Sequence, residues 1–121
     1  MEIQIPGLDV KSGLELCDGD TKFFVRALRL FIAKIPDTLD KMRNVTEGTL
    51  HDYSIVVHGL KSNSVYIGAE EIRKTAKELE TLSKEGDLSG VQARNDAFIQ
   101  YIENLLNDIR SWLEKHDAAK L

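Results

Sequence analysis

Apolar residues recur along most of the chain at steps of three and four, the spacing of an amphipathic helix, and the interruptions fall where glycine and small polar residues cluster. A short first helix is predicted after Asp9, whose carboxylate can cap it, ending near the "CDGD" turn at residues 17 to 20. A second starts around Asp20 or Thr21 and carries Phe23, Phe24, Ala27, Leu28, Phe31, Ile35, Leu39 and Met42 in helical register, with a kink expected at Pro36. A turn from Asn44 to Gly48 leads into a third helix of about 18 residues, which should stop at Gly68, the residue type best suited to a left-handed closing conformation.

From Ala69, the helix-prone "EEIRKTAKELETLSKE" brings Ile72, Ala76, Leu79 and Leu82 onto one face until "EGDLSG" breaks it at residues 85 to 90. Val91, Phe98, Ile102, Leu105, Ile109 and Trp112 then form a narrow seam on a last helix of about 25 residues, roughly 38 Å long. No alternating, β-branched run competes with these assignments. Short connections between long helices imply antiparallel neighbours, so the predicted fold is all-α: an antiparallel four-helix bundle with a short extra N-terminal helix, one domain over residues 1–121.

The third helix has two chemically different sides. With about 100° per residue and Leu60 at the origin, Tyr53, Val56, Val57, Ser64 and Ile67 fall within about 60° of it, the core arc. His58 lies about 160° away, among His51, Ser54, Ile55, Lys61, Ser62 and Val65. It therefore points outward. Lys61, one turn on, can hold an ammonium beside an anion carried by the imidazole, and Ser62 adds a hydroxyl within similar reach. Ile55 and Val65 are apolar residues on a face that should be polar, and two of them flanking a reactive group suggest a docking surface. A histidine used in this way attacks a phosphoryl group as neutral imidazole, the form that predominates for an ordinary histidine above pH ~6.5. Phosphoryl transfer depends mainly on in-line positioning and charge neutralisation, so such a residue needs little machinery of its own if its partner supplies the metal.

Composition narrows the alternatives. The 121 residues suit one core, and 42% apolar with 30% charged residues is the balance of a soluble globular protein. No apolar run approaches the ~20 residues of a membrane span, and "MEIQIPGLDV" lacks the features of a secretory signal, so no membrane insertion and a cytoplasmic location are expected. Sixteen basic residues against 20 acidic ones give no cationic footprint for nucleic acid. The single cysteine, Cys17, sits beside Leu14 and Leu16 as a small buried hydrophobe, and Asn44, Val45 and Thr46 match a glycosylation acceptor only by composition. Bundle-core metal sites need inward Glu-x-x-His pairs or histidines four apart. His51 and His58 are seven apart and outward, and His116 lies in the polar tail, so no metal or other cofactor is expected. The run "AEEIRKTAKELE" reads as solvated surface with pairing along the helix. No phosphate-binding glycine loop and no nucleophile-base constellation is present.

Residues 58 to 69, "HGLKSNSVYIGA", resemble the signature of the histidine-containing phosphotransfer domains of multistep two-component signalling, commonly written HxLKGxSxxxGA: His58, Leu60, Lys61, Ser64, Gly68 and Ala69 match in register. Upstream, "GLDVKSGLELCDGDTKFFVRALRLF" is similar to that family's short helix, Gly-Asp turn and long apolar helix. Downstream, "AKELETLSKEGDLSGV" resembles its Leu-Glu and Gly-Asp segment.

The resemblance implies that His58 takes a phosphoryl group from the aspartate of one receiver domain and passes it to that of another. Lys61 and Ser62 would lie near the phosphate, and Ile55 and Val65 at the docking surface. It implies no kinase activity and no ATP site. The partners are response-regulator receiver domains, free or within a hybrid sensor histidine kinase, and magnesium is expected on the receiver. The chain itself is expected to be a monomer. Ser62 departs from the family pattern, which has glycine four residues after the histidine; a serine there either crowds an approaching receiver or lends a hydroxyl to the phosphoryl group or the ring. A module that keeps this fold but only binds a receiver or a partner helix is the competing expectation.

Overall fold

The computed structural model describes residues 3–119, so Met1, Glu2, Lys120 and Leu121 of the expected domain lie outside the described residues. Helix α1 spans Val10–Leu16, α2 Thr21–Met42, α3 Leu50–Val65, α4 Glu70–Lys84 and α5 Leu88–Ala118; a 3-10 turn, Glu47–Thr49, leads into α3. The described residues contain no strand. Helix α2 packs against α3, α3 against α4, α4 against α5, and α5 closes the ring on α2, with α1 lying against α2. The connections, 43–49, 66–69 and 85–87, are too short for a crossover, so successive helices run antiparallel. The expected bundle with its short leading helix is the architecture found.

Helix starts follow the sequence closely because they are set by local chemistry. Asp9 accepts from the amide of Ser12, Asp20 from that of Lys22 and Asp87 from that of Gly90, each satisfying an otherwise orphaned donor. Helix α2 continues through Pro36 to Met42 as one element. Helix α3 ends at Val65, slightly before Gly68, and Gly68 takes the expected left-handed conformation at φ +72°. A second constraint also acts there. A Cβ at Gly68 would stand 2.0 Å from the carbonyl oxygen of Asp9, and the Asp9 amide donates to the Gly68 carbonyl at 2.8 Å. Gly68 thus joins the end of α3 to the start of α1. Gly13 plays a similar part, since a Cβ on it would meet the ring of Phe24 at 2.5 Å.

Four side chains depart from their expected positions. Phe23, assigned to the apolar face of α2, is exposed: Phe24, one step of about 100° further, takes the core position. Ser54, placed on the outer side of α3, is buried and donates to the His51 carbonyl, because α4 covers that flank. Trp112 is only half-buried and stacks on His116 at 4.7 Å, while Leu106, Ile109 and Leu113 carry the seam. Cys17 is also only half-buried. Helix α5 exceeds its expected length, reaching 31 residues, and Arg29 of α2 pairs with Asp117 to fasten the far end.

The core contains one polar knot. Asn95 of α5 is buried, donates to the Met42 carbonyl at 2.8 Å and accepts from the Tyr53 hydroxyl at 2.8 Å, so α2, α3 and α5 meet at one amide. Satisfying both partners removes the cost of burying them, and burial pushes the Tyr53 hydroxyl well above the usual tyrosine range. This knot holds the first turn of α3, about one and a half turns before His58.

Candidate functional site: a histidine, a buried carboxylate and two lysines

His58 leaves the middle of α3 with 59% of its side chain exposed, as its phase against Leu60 requires. The ring is not merely solvated. Its Nδ1 lies 2.7 Å from Oε2 of Glu80 on α4. Only 7% of the Glu80 side chain is exposed, and it also receives Lys61 Nζ on Oε1 at 2.8 Å and Lys84 Nζ on Oε2 at 2.9 Å. One carboxylate therefore gathers three nitrogen groups from two helices.

This overturns the reading of the α4 charge run as solvated surface throughout. Neighbours such as Lys77, Glu78 and Thr81 are exposed, but Glu80 is buried between α4 and α3. The missed signal was phase: Glu80 follows Ala76 by four and precedes Ser83 by three, so it lies on the buried arc with Ile72, Ala76 and Leu79. A carboxylate at such a position needs partners, and cations three or four residues apart on α3 and α4 provide them. Lys61 is accordingly half-buried and engaged, not simply exposed.

The electrostatics assign the protons. The hydrogen bond from Lys61, opposed by burial and reinforced by Lys84 and His58, lowers the Glu80 carboxyl to about 2. Glu80 is then an anion at any physiological pH, and an ionised carboxylate accepts hydrogen bonds but cannot donate them. The hydrogen bond to His58 must be donated by Nδ1–H. In the neutral ring this leaves the lone pair on Nε2, which has no hydrogen-bond partner among the described residues. The buried carboxylate thus fixes both the tautomer and the direction of the ring. With one anion against two ammonium groups, the cluster keeps an excess of positive charge beside the exposed nitrogen.

Ser62, the departure from the family pattern, is exposed, and its hydroxyl turns back toward the His58 carbonyl at 3.5 Å, making no hydrogen bond to the ring. Ile55 and Val65 are both exposed, as expected, on either side of His58. The larger apolar feature lies elsewhere: a groove of about 850 Å³ between the end of α1, the outer face of α2 and the end of α3, lined by Leu16, Phe23, Leu30, Asn63 and Tyr66 among others. Neither Ile55 nor Val65 lines it. Phe23, expected in the core, is instead on the outer face of α2, where it joins Leu16 and Tyr66 in the lining. No group of three or more His, Cys, Asp or Glu side chains among the described residues could hold a metal ion, and no described helix is long and apolar enough to cross a membrane.

Comparison with known proteins gives one family. The model of the Hpt domain matches residues 26–112, taking in α3, α4 and most of α2 and α5 while leaving α1 outside. No curated protein and no solved structure matches the chain.

Proposed function

The chain belongs to the Hpt domain family, phosphotransfer modules of two-component phosphorelays that carry no kinase or ATP site of their own, and from that premise we propose that His58 is the residue that carries the phosphoryl group. It accepts the group from the aspartyl phosphate of one receiver domain and returns it to the aspartate of another. The observation that carries this reading is the hydrogen bond between His58 Nδ1 and an ionised, buried Glu80, which leaves Nε2 exposed as the nucleophilic nitrogen.

The chemistry follows from that arrangement. The Nε2 lone pair attacks phosphorus, an N–P bond forms, the P–O bond of the acyl phosphate breaks, and the departing carboxylate keeps its electron pair. No proton has to leave the ring. The product is an N-phosphoryl imidazolium whose positive charge is delocalised onto Nδ1–H, where Glu80 faces it. Lys61 and Lys84 supply cations toward the incoming phosphoryl oxygens, and Ser62 lies one turn from the ring at the edge of the site. Magnesium belongs to the receiver in this reading.

The receiver docks across Ile55 and the mostly apolar groove at the C-terminal end of α3. On the α3 wheel Ile55, Asn63 and Tyr66 face one side, which leads from the flank of His58 to the groove wall, so a partner seated on α1 and α2 reaches the imidazole without rearranging the bundle. Val65 borders His58 on the α4 side. Incubation with a phosphorylated receiver should label the protein as an acid-labile, base-stable adduct, and His58→Gln should abolish it. Equal labelling of the variant would refute the assignment.

A further inference from the structure

The protein has eight glycines, and the fold accounts for six of them. Gly7, Gly19, Gly68 and Gly86 have positive φ, a conformation that side chains disfavour. A Cβ on Gly13 would strike Phe24, and one on Gly90 would strike the capping carboxylate of Asp87 at 2.5 Å. Two remain. Gly48 is in a 3-10 turn, where helix propensity is of little account, but Gly59 is inside α3, directly after His58. A Cβ built there meets nothing within 4 Å. Glycine in the middle of a helix is less stable than alanine, and nothing inside this molecule requires it here.

Its position shows what could require it. Gly59 is about 100° round the helix from His58, on the side opposite Lys61 and Glu80. Ile55, one turn earlier, and Tyr66, two turns later, lie within about 40° of the same direction, and each is 60% exposed. Asn63, one turn later, lines the apolar groove. Gly59 is therefore a gap between two exposed apolar side chains, Ile55 and Tyr66, and it lies between the nucleophile and the groove.

We propose that Gly59 is a clearance notch for the receiver: the main chain of the docked domain passes over it to reach His58 from the α2 side, so this residue controls which partners can approach. Gly59 acts through docking and leaves the reactivity of the imidazole alone. The inference rests on the receiver-dependent reading of His58 given above.

The test compares the parent protein with Gly59→Ala and Gly59→Leu, both good helix formers. Thermal melting of Gly59→Ala should rise by roughly 3 °C, because a helix-favouring residue replaces glycine without a clash. Labelling of His58 by phosphoramidate, a small donor that needs no docking, should be unchanged in both variants. Transfer from a phosphorylated receiver should weaken through KM, by about tenfold for leucine and by less for alanine, with kcat within about twofold. Unchanged transfer from the receiver in both variants, or a lower melting temperature for Gly59→Ala, would overturn the notch while leaving the function of His58 intact. Failure of the parent itself to accept a phosphoryl group from receivers would overturn both.

Discussion

Glu80 Oε2 lies 2.7 Å from His58 Nδ1, joining two residues 22 positions apart on neighbouring helices. The contact turns an exposed histidine into an oriented one. Replacing the carboxylate by an isosteric amide, Glu80→Gln, keeps the shape but removes the charge and the obligation of Nδ1 to donate. Transfer from a phosphorylated receiver should slow by roughly 10- to 100-fold, the scale seen when carboxylates that orient histidines are lost. Stopped-time transfer assays would measure the rate, and nitrogen NMR of the unphosphorylated ring should show Nδ1–H dominant in the parent and a mixture of tautomers in the variant.

The same carboxylate gives the fold an acid dependence. Its pKa of about 2 lies below the ordinary value of 4.5, so the folded state favours the ionised form. The stabilisation is fully present above pH 4.5 and is lost as the pH falls from there toward 2. Denaturant midpoints measured across that window should decline in the parent more steeply than in Glu80→Gln, which has no group to titrate at that position. Parallel slopes would show that Glu80 is not held ionised by its partners.

Lys61 and Lys84 hold Glu80 unequally. Lys61 is half-buried and has Oε1 to itself, whereas Lys84 is mostly exposed and shares Oε2 with His58. Lys61→Ala should therefore slow phosphotransfer more than Lys84→Ala, and it should move the Glu80 titration upward from about 2, because the Lys61 hydrogen bond is the main cause of its depression. Carbon NMR of the Glu80 carboxyl reads the titration directly. Helix content should persist in both variants, since neither lysine contributes to the apolar core.

Gly68 bears on the fold before it bears on chemistry. An alanine there meets both the left-handed φ of +72° and the Asp9 carbonyl 2.0 Å from its Cβ, so Gly68→Ala should destabilise by about 2–4 kcal/mol. Chemical denaturation would measure the loss. Because the clash lies between α3 and α1, the groove should suffer before the His58–Glu80 contact, and below the melting temperature receiver-dependent transfer should fall further than labelling by phosphoramidate.

How much of this was visible in the sequence depends on how far each feature reaches. The cap at Asp9, the start of α2 around Asp20 and the outward phase of His58 are matters of a few adjacent residues, and local spacing reveals them. Glu80 was hidden in a charged run because its burial depends on which helix lies opposite, a tertiary fact; only its register with Ala76 and Ser83 hinted at it. The groove of Leu16, Phe23 and Tyr66 was equally hidden, since it exists only where α1 stops short of covering α2. Ser54 and Phe23 were placed on the wrong sides for a related reason: the width of a buried arc is set by the neighbours, and a helical wheel shows only its centre.

The nucleophile proposed above is one atom, Nε2 of His58. Phosphorus–nitrogen NMR on protein labelled by a phosphorylated receiver would locate the N–P bond. The expected result is a single phosphoryl group on Nε2 of His58, with Nδ1 still protonated and bonded to Glu80. A phosphoryl group on Nδ1, on another residue, or on none would contradict it, and absence of any adduct despite receiver binding would leave a module that binds without transferring.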